Sequence, residues 1–340
     1  MKHIFILNPA AGKGKAEQKY LPKIIDASKK LGIDYEIHRT MGRGDAENFI
    51  RRRCKALGEA TRFYICGGDG TLNEAVNGAY GFEHVELAMI PAGTGNDFVR
   101  NFDCPESFLD IEAQINGNAR PVDLIRYRQL PRGIREYIET GEQSFSNKMD
   151  ELFYDDGNHV DIGRYGINMF NIGLDADVVV KASELKKHPL VFGAAAYGVG
   201  IAMVLGRKKC VDLDIEFDDG TQYIGKVMLI AIANGCYCGG GYKGVPYASL
   251  DDGYMDVSIV EDVTRRTFVR LLGRYKKGTH LEIPESKNFI TYKKCKSITV
   301  TPPKTMQISI DGEIVQHGAL RFDIVPNAIK FSLPQPQTER

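Results

Sequence analysis

Residues 63–74 read Phe-Tyr-Ile-Cys-Gly-Gly-Asp-Gly-Thr-Leu-Asn-Glu, and few folds accommodate that order. Phe63 to Cys66 is an apolar run that stops at glycine, as a buried β-strand entering a turn does. Gly67, Gly68 and Gly70 leave the turn almost without Cβ atoms. Such a turn can take φ > 0 and lets a phosphate come close to backbone N–H groups. Thr71 onward reads as a helix, with Thr71 as its N-cap and Glu74 as the capping-box partner. A helix N-terminus beside a glycine turn is an anion site. Asp69 has the wrong charge for an anion on its own, and fits there if a divalent cation bridges it to phosphates. A bare Gly-Gly-x-Gly needs no ligand, because its glycines can serve a tight strand-to-helix turn alone. The full string, with strand, acid and helix in order, points to a nucleotide-phosphate site.

Related units fill the first 120 residues. Lys2 to Leu7 reads as a strand, Asn8-Pro9-Ala10-Ala11-Gly12-Lys13-Gly14 as a turn, and about Glu17 to Leu31 as a helix. The turn lacks the spacing of a P-loop. Asp34 to His38 reads as a second strand, and Gly44 to about Leu57 as a helix. Val85 to Ile90 is a strand that runs into Pro91-Ala92-Gly93-Thr94-Gly95-Asn96-Asp97-Phe98. That loop opens another helix, with Arg100 on the face of Asp97, where an ion pair would orient it. Alternating strands and helices predict a doubly wound α/β domain. Loops that follow strands in such a sheet converge at one edge, so Asp69 and Asp97 are expected to meet there.

From Pro121-Val122-Asp123-Leu124 the pattern changes. Residues 128–160 are polar and aperiodic, and read as an insertion, disordered in part or a surface hairpin. Tyr165 to Leu174 reads as a strand with an Asn-x-Gly turn, and Ala176 to Leu185 as a helix. Strands then follow at 210–218, 222–233, 254–260, 297–302, 307–311 and 320–325, with one helix near 264–274, which predicts an antiparallel sandwich. Leu190 to Leu205 is 16 uncharged residues, short of a membrane span. It reads as a buried helix or as the lining of an acyl-chain pocket.

At 340 residues the chain has room for two domains. Lys+Arg and Asp+Glu both number 44, which argues against a nucleic acid held by bulk charge and leaves open a local basic patch facing an anionic membrane. The seven cysteines are odd in number and scattered, and Cys236 and Cys238 have no second pair to complete a zinc site. They read as reduced thiols of a cytosolic protein. The N-terminus lacks the long apolar region of a signal peptide.

The motifs Asn-Pro-x-x-Gly at 8–12, Gly-Gly-Asp-Gly-Thr at 67–71, Pro-x-Gly-Thr-x-Asn-Asp-Phe at 91–98 and Asp-Gly-Glu at 311–313 together resemble the diacylglycerol kinase catalytic family, which includes bacterial lipid kinases and sphingosine and ceramide kinases. The resemblance implies two domains. An N-terminal doubly wound α/β nucleotide-binding domain would span 1–122, joined again by a last strand near 328–333 and the tail from about 326 to 340. A C-terminal, mainly antiparallel β-sandwich domain for the lipid would span 123–325. ATP and Mg²⁺ are the implied cofactors. Nucleotide contacts would come from Asn8, Gly12, Lys13 and Thr40, from Gly67, Gly68, Asp69, Gly70, Thr71, Asn73 and Glu74, and from Gly93, Thr94, Asn96 and Arg100. Mg²⁺ would bridge the phosphates to Asp69 and Asp97. Glu313 would be the general base for a lipid hydroxyl, with Asp311 near the metal; from the residues alone, Asp311-Gly312 is an ordinary hairpin turn. Ser249 to Tyr254 resembles an element that holds a structural Mg²⁺ through Asp252 and the backbone oxygens of Ser249 and Tyr254, or is simply an Asp-Gly turn. The glycine-rich loop Gly235 to Gly244 would shape the acceptor side.

The implied activity is transfer of the ATP γ-phosphate to a lipid hydroxyl, diacylglycerol to phosphatidic acid in the first instance. The protein would be cytoplasmic, without a transmembrane segment, transiently peripheral to the membrane, and free of nucleic acid; a homodimer stays open. NAD kinases share the Gly-Gly-Asp-Gly-Thr core and form one alternative. A non-catalytic nucleotide- or lipid-binding module is the other. The 8–12 and 91–98 motifs favour the lipid kinases.

Overall fold

The structure, a computed structural model, describes residues 1–130, 163–174, 176–178 and 210–335. Most of the insertion read at 128–160, most of the helix expected at 176–185 and the apolar segment 190–205 lie outside the described residues.

Strands β1 (Lys2–Leu7), β2 (Tyr35–Arg39), β3 (Thr61–Gly67) and β4 (Val85–Pro91) run parallel in the order β2-β1-β3-β4. Parallel neighbours need crossovers, which helices α2 (Ala16–Leu31), α3 (Asp45–Ala56) and α4 (Asp69–Ala79) provide. Helices on both faces explain why every residue of β3 is buried. Ile4, Ile6, Phe63 and Ile65 share one core cluster with Ile50 of α3 and Leu72 and Val76 of α4. Phe5, Leu7 and Tyr64 point the other way and pack on Tyr20 and Ile24 of α2. Ahead of α2, the short turn α1 (Ala11–Gly14) is distorted by left-handed residues.

The second half is antiparallel. Strands β7 (Met169–Gly173), β8 (Val211–Phe217), β9 (Gln222–Ala233), β12 (Ser297–Thr301), β13 (Met306–Ile310) and β14 (Glu313–His317) follow the order β14-β13-β7-β9-β8-β12. Strand β10 (Met255–Glu261) pairs with β9 and with β11 (Ile290–Cys295). Alternation along β8 buries Leu213, Ile215 and Phe217 with Ile230, Val257 and Ile308. Helix α6 (Arg265–Lys277) is capped by Thr264, whose hydroxyl accepts from the Thr267 N–H at 3.2 Å. A further short helix, α5 (Ile111–Ile115), is capped by Asp110. Among the described residues no helix is long and apolar enough to cross a membrane.

Two long strands weld the halves together. β5 (Asn118–Gln129) and β15 (Leu320–Leu333) pair along almost their whole length. The sequence suggests two separate strands near 320–325 and 328–333, divided by Pro326-Asn327. The structure has one strand, with a register shift between Val325 and Ile329 and Asn327 at φ +51 taking up the bend. Its start pairs with β12 and its end pairs in parallel with β4. Asp123 pins this crossing, accepting the Asn327 and Gly253 N–H groups at 2.7 Å each. Strand β6 (Arg164–Gly166) adds to the edge of β5. The single strand expected at 165–174 is two, β6 and β7, and β11 and β14 have no counterpart in the sequence reading. β6 is only three residues long, and β11 and β14 are mostly half-exposed, so neither has a clean apolar face.

Candidate active site

The ends of β1, β3 and β4 and the β13–β14 hairpin open onto a cleft of about 950 Å³. One wall is loop 8–14. The Asn8 side chain accepts from the Ala10 N–H at 3.0 Å and donates to the Thr71 hydroxyl at 2.9 Å, so it locks this loop to the first turn of α4. Gly12 and Lys13 both sit at φ +60.

Helix α4 begins at Asp69, with Gly68 as its N-cap and no side-chain cap. Thr71 is therefore not the cap, and Glu74 closes no capping box. Because the N-cap is Gly68, three residues earlier than expected, Thr71 faces Asn8 instead. Glu74 serves α3: it accepts the Gly44 N–H at 2.7 Å and the Ala46 N–H at 3.2 Å, a carboxylate at a helix N-terminus. The uncapped first turn of α4 leaves N–H groups directed at the cleft.

Nor do Gly67, Gly68 and Gly70 serve a left-handed turn, since none has positive φ. They permit close approach. A Cβ on Gly93 would lie 2.5 Å from the Gly68 Cα, and one on Gly67 would lie 2.6 Å from Thr71. The loops after β3 and β4 thus touch backbone to backbone.

Three carboxylates, Asp97 and Asp311 buried and Asp69 half-buried, organise the cleft. Asp69 accepts the Asn96 N–H at 2.9 Å and the Asp97 N–H at 3.1 Å, which fixes the second glycine loop. Burial, then the negative charges of Asp97 and Asp311, pushes its carboxyl up to about 7 against the opposing pull of the Asn96 N–H. Asp97 accepts from Gly240 at 2.9 Å and Gly241 at 2.8 Å, tying the second-half loop to the first half. Both glycines are left-handed. Asp97 opens only a four-residue 3-10 turn, Phe98–Asn101, rather than an α-helix; the expected ion pair forms, with Arg100 Nε 3.5 Å from Asp97 Oδ1.

Asp311 is not free to meet a metal. Its oxygens accept from the Ile167, Asn168 and Met169 N–H groups at 3.0 Å and from the Asn73 amide at 2.9 Å. Burial raises its carboxyl pKa while those donors pull it down. Asp311 and Gly312 form a two-residue hairpin with φ +47 and +91, so Ile310 pairs with Glu313. That turn delivers Glu313 to the cleft. Its Oε2 lies 2.7 Å from the Arg43 guanidinium, and a Cβ on Gly70 would lie 2.9 Å from its Oε1.

Two matched segments correspond to the two halves of the fold. Residues 2–127 match the diacylglycerol kinase catalytic domain, and residues 168–332 match the YegS C-terminal NAD kinase beta sandwich-like domain. A diacylglycerol kinase of Staphylococcus saprophyticus is 30% identical over 311 residues, covering 91% of this chain and 87% of that protein. The chain belongs to the diacylglycerol kinase family. A family member from Bacillus subtilis (strain 168), also a diacylglycerol kinase, is 28% identical over 312 residues, covering 91% of this chain and 88% of that protein. The crystal structure of a diacylglycerol kinase from Bacillus anthracis str. Sterne superposes with a TM-score of 0.65 at 20% identity, over 98% of this chain and 97% of that one, and shares the two-part fold.

Of the residues the family resemblance singles out, the cleft gathers Asn8, Gly12, Lys13, Thr40, Gly68, Asp69, Gly70, Thr71, Glu74, Gly93, Thr94, Asp97, Arg100, Asp311 and Glu313. Gly67, Asn73 and Asn96 do not line it. Asn73 turns to Asp311 and the Tyr165 carbonyl. Asn96 folds its own loop, accepting the Gly93 N–H and donating to the Gly93 carbonyl at 3.0 Å each. Among the described residues no three His, Cys, Asp or Glu side chains are disposed to hold a metal by themselves. Mg²⁺ commonly takes one or two carboxylates and completes its shell with phosphates, and Asp69, crowded by Asp97 and Asp311, is the group a nearby dication would relieve. In the expected second Mg²⁺ set of Ser249, Asp252 and Tyr254, the one carboxylate is paired with a lysine. Lys294 lies 2.7 Å from Asp252 and 2.7 Å from the buried Asp256, so an ammonium already answers the one charged donor. The Ser249 hydroxyl donates to Asp251 Oδ1 at 3.0 Å, a bond that leaves its backbone oxygen uninvolved.

Sequence reasoning missed Arg43, which lines the cleft and reaches Glu313. Its only local signal is the Gly42-Arg43-Gly44 loop after a strand of the doubly wound sheet.

Proposed function

We propose that the chain is an ATP- and Mg²⁺-dependent lipid kinase that transfers the γ-phosphate to a lipid hydroxyl, with diacylglycerol as the first acceptor to test. One observation carries this reading: the uncapped first turn of α4 and the Glu313 carboxylate face each other in one cleft, separated at Gly70 by less than a side chain. An anion site and a proton acceptor are then adjacent, as in-line phosphoryl transfer requires.

The N–H groups at the start of α4 and the loops 8–14 and 93–95 hold the phosphates, with Lys13 and Arg100 adding positive charge. Mg²⁺, bound with the nucleotide at Asp69 and Asp97, supplies neutralisation of phosphate charge. Glu313 takes the proton of the acceptor hydroxyl as its oxygen bonds to the γ-phosphorus and the bond to the leaving ADP oxygen breaks. Arg43 holds Glu313 in the free protein and turns to a phosphate oxygen once nucleotide enters. A second pocket of about 430 Å³ adjoins across Glu313, lined in part by Tyr127, Ile310 and Val315, and takes the acceptor end of the lipid.

The test is label transfer from γ-labelled ATP by the purified chain with Mg²⁺ and mixed micelles of diacylglycerol, sphingosine, ceramide or undecaprenol, with NAD as a soluble control. A labelled lipid supports the reading and names the acceptor. Label on NAD alone would move the protein to a different kinase class. Bound nucleotide without transfer to any of them would leave a binding module.

A further inference from the structure

Helix α6 carries Arg265, Arg266, Arg270, Arg274, Lys276 and Lys277 in 13 residues and no acid. Phe268 and Leu271 are buried, Phe268 in a cluster with Met228, Val260 and Val263. The opposite face is exposed: Arg266, Arg270 and Lys277 recur at helical spacing around Val269, which is 59% exposed. The whole chain has a formal net charge of zero, so this is local segregation of charge. Helix α3 is basic too, yet there Arg51 pairs with Glu47 and Arg53 with Glu36. Among the described residues Arg266, Arg270 and Lys277 have no acidic partner.

The end of α6 abuts the 235–244 loop, whose Gly239 and Gly240 line the cleft. The Lys276 carbonyl accepts the Lys243 N–H at 3.2 Å, and the Lys276 ammonium sits 5.6 Å from the centre of the Tyr242 ring. A few residues earlier, the same loop gives the Gly240 and Gly241 N–H groups to Asp97. The C-terminal end of this cationic helix therefore joins the loop that forms the second-half wall of the cleft.

We infer that the exposed face of α6 docks the protein on an anionic bilayer, on the side of the molecule where the 235–244 loop walls the cleft. A cationic face with an apolar residue at its centre matches the charge and the interfacial layer of such a surface. The choice of a bilayer over a nucleic acid rests on the lipid-kinase reading.

The experiment is co-sedimentation of the full chain with phosphatidylcholine vesicles, with and without phosphatidylserine, at low and high NaCl. Binding is expected only with phosphatidylserine and is expected to fall with salt. The Arg266→Gln/Arg270→Gln/Lys277→Gln variant is expected to bind about a hundredfold more weakly, at about fivefold per cation removed. It should keep its melting temperature and its turnover on a detergent-dispersed acceptor. The control variant Arg52→Gln/Lys55→Gln on α3 should bind as wild type. Equal binding of wild type and the triple variant would overturn the inference, and so would capture of duplex RNA by wild type with no vesicle binding. Sedimentation needs no turnover, so the two readings separate. Vesicle binding without kinase activity would retain docking and sink the kinase reading, whereas turnover on the dispersed acceptor without vesicle binding would do the reverse.

Discussion

Asp311 accepts four hydrogen bonds, one from α4, two from the turn between β6 and β7 and one from Met169 at the start of β7, so its charge is structural. Removing it leaves buried N–H groups without an acceptor. Asp311→Ala is expected to lower stability by about 3 kcal/mol in urea titration, since hydrogen bonds to charged groups contribute about 1.5–3 kcal/mol each and part is recovered by relaxation. An unchanged midpoint would contradict this role. His280 makes the corresponding pH prediction. It is 1% exposed, and burial lowers its pKa from 6.5 to about 4. The folded state binds the proton less readily than the unfolded one. The stabilisation is therefore complete above about pH 6.5 and is lost as pH falls through about 4, roughly 3 kcal/mol in all. In His280→Met this limb of the stability curve should flatten; an identical slope in the variant would remove His280 as the cause. Such roles were not legible in the sequence. The donors to Asp311 lie more than 140 residues away, apart from Asn73, which is more distant still, and nothing near Asp-Gly-Glu distinguishes an acid that ties loops from one that meets a metal.

At the scale of elements, the strand–loop–helix units were readable because each is local: an apolar run, a glycine turn, and a helix that starts where the turn ends. What the glycines do was less readable, since φ freedom and close approach leave the same letter. Gly93→Ala separates these, because its Cβ would press on the Gly68 backbone. Nucleotide affinity is expected to fall at least about tenfold by calorimetry, equivalent to about 1.4 kcal/mol, with little change in helix content. Full affinity in Gly93→Ala would show that the two loops need not touch. Glu74 was misassigned because a capping box is a pattern within one helix, while its real partners are the first N–H groups of α3.

For the whole molecule, the two-part architecture was legible from the change of pattern after residue 120, but the continuity of β15 was not. Pro326-Asn327 reads as a break, yet β5 pairs on both sides of it and carries the strand through the bend. A strand shared by both halves should make them unfold together. Calorimetry is expected to give one transition for the full chain, and two well-separated transitions would contradict that coupling. The cleft depends on the same junction, because Glu313 comes from one half and the start of α4 from the other.

The most direct test of the account is single-turnover label transfer by Glu313→Gln beside wild type, on whichever lipid the wild type phosphorylates, with nucleotide affinity measured on the same preparations. The account predicts that transfer falls by about a thousandfold, within the range for loss of a general base, while nucleotide affinity and melting temperature stay near wild type. Transfer at the wild-type rate by a folded, nucleotide-binding Glu313→Gln protein would contradict the account and take the proton acceptor out of this cleft.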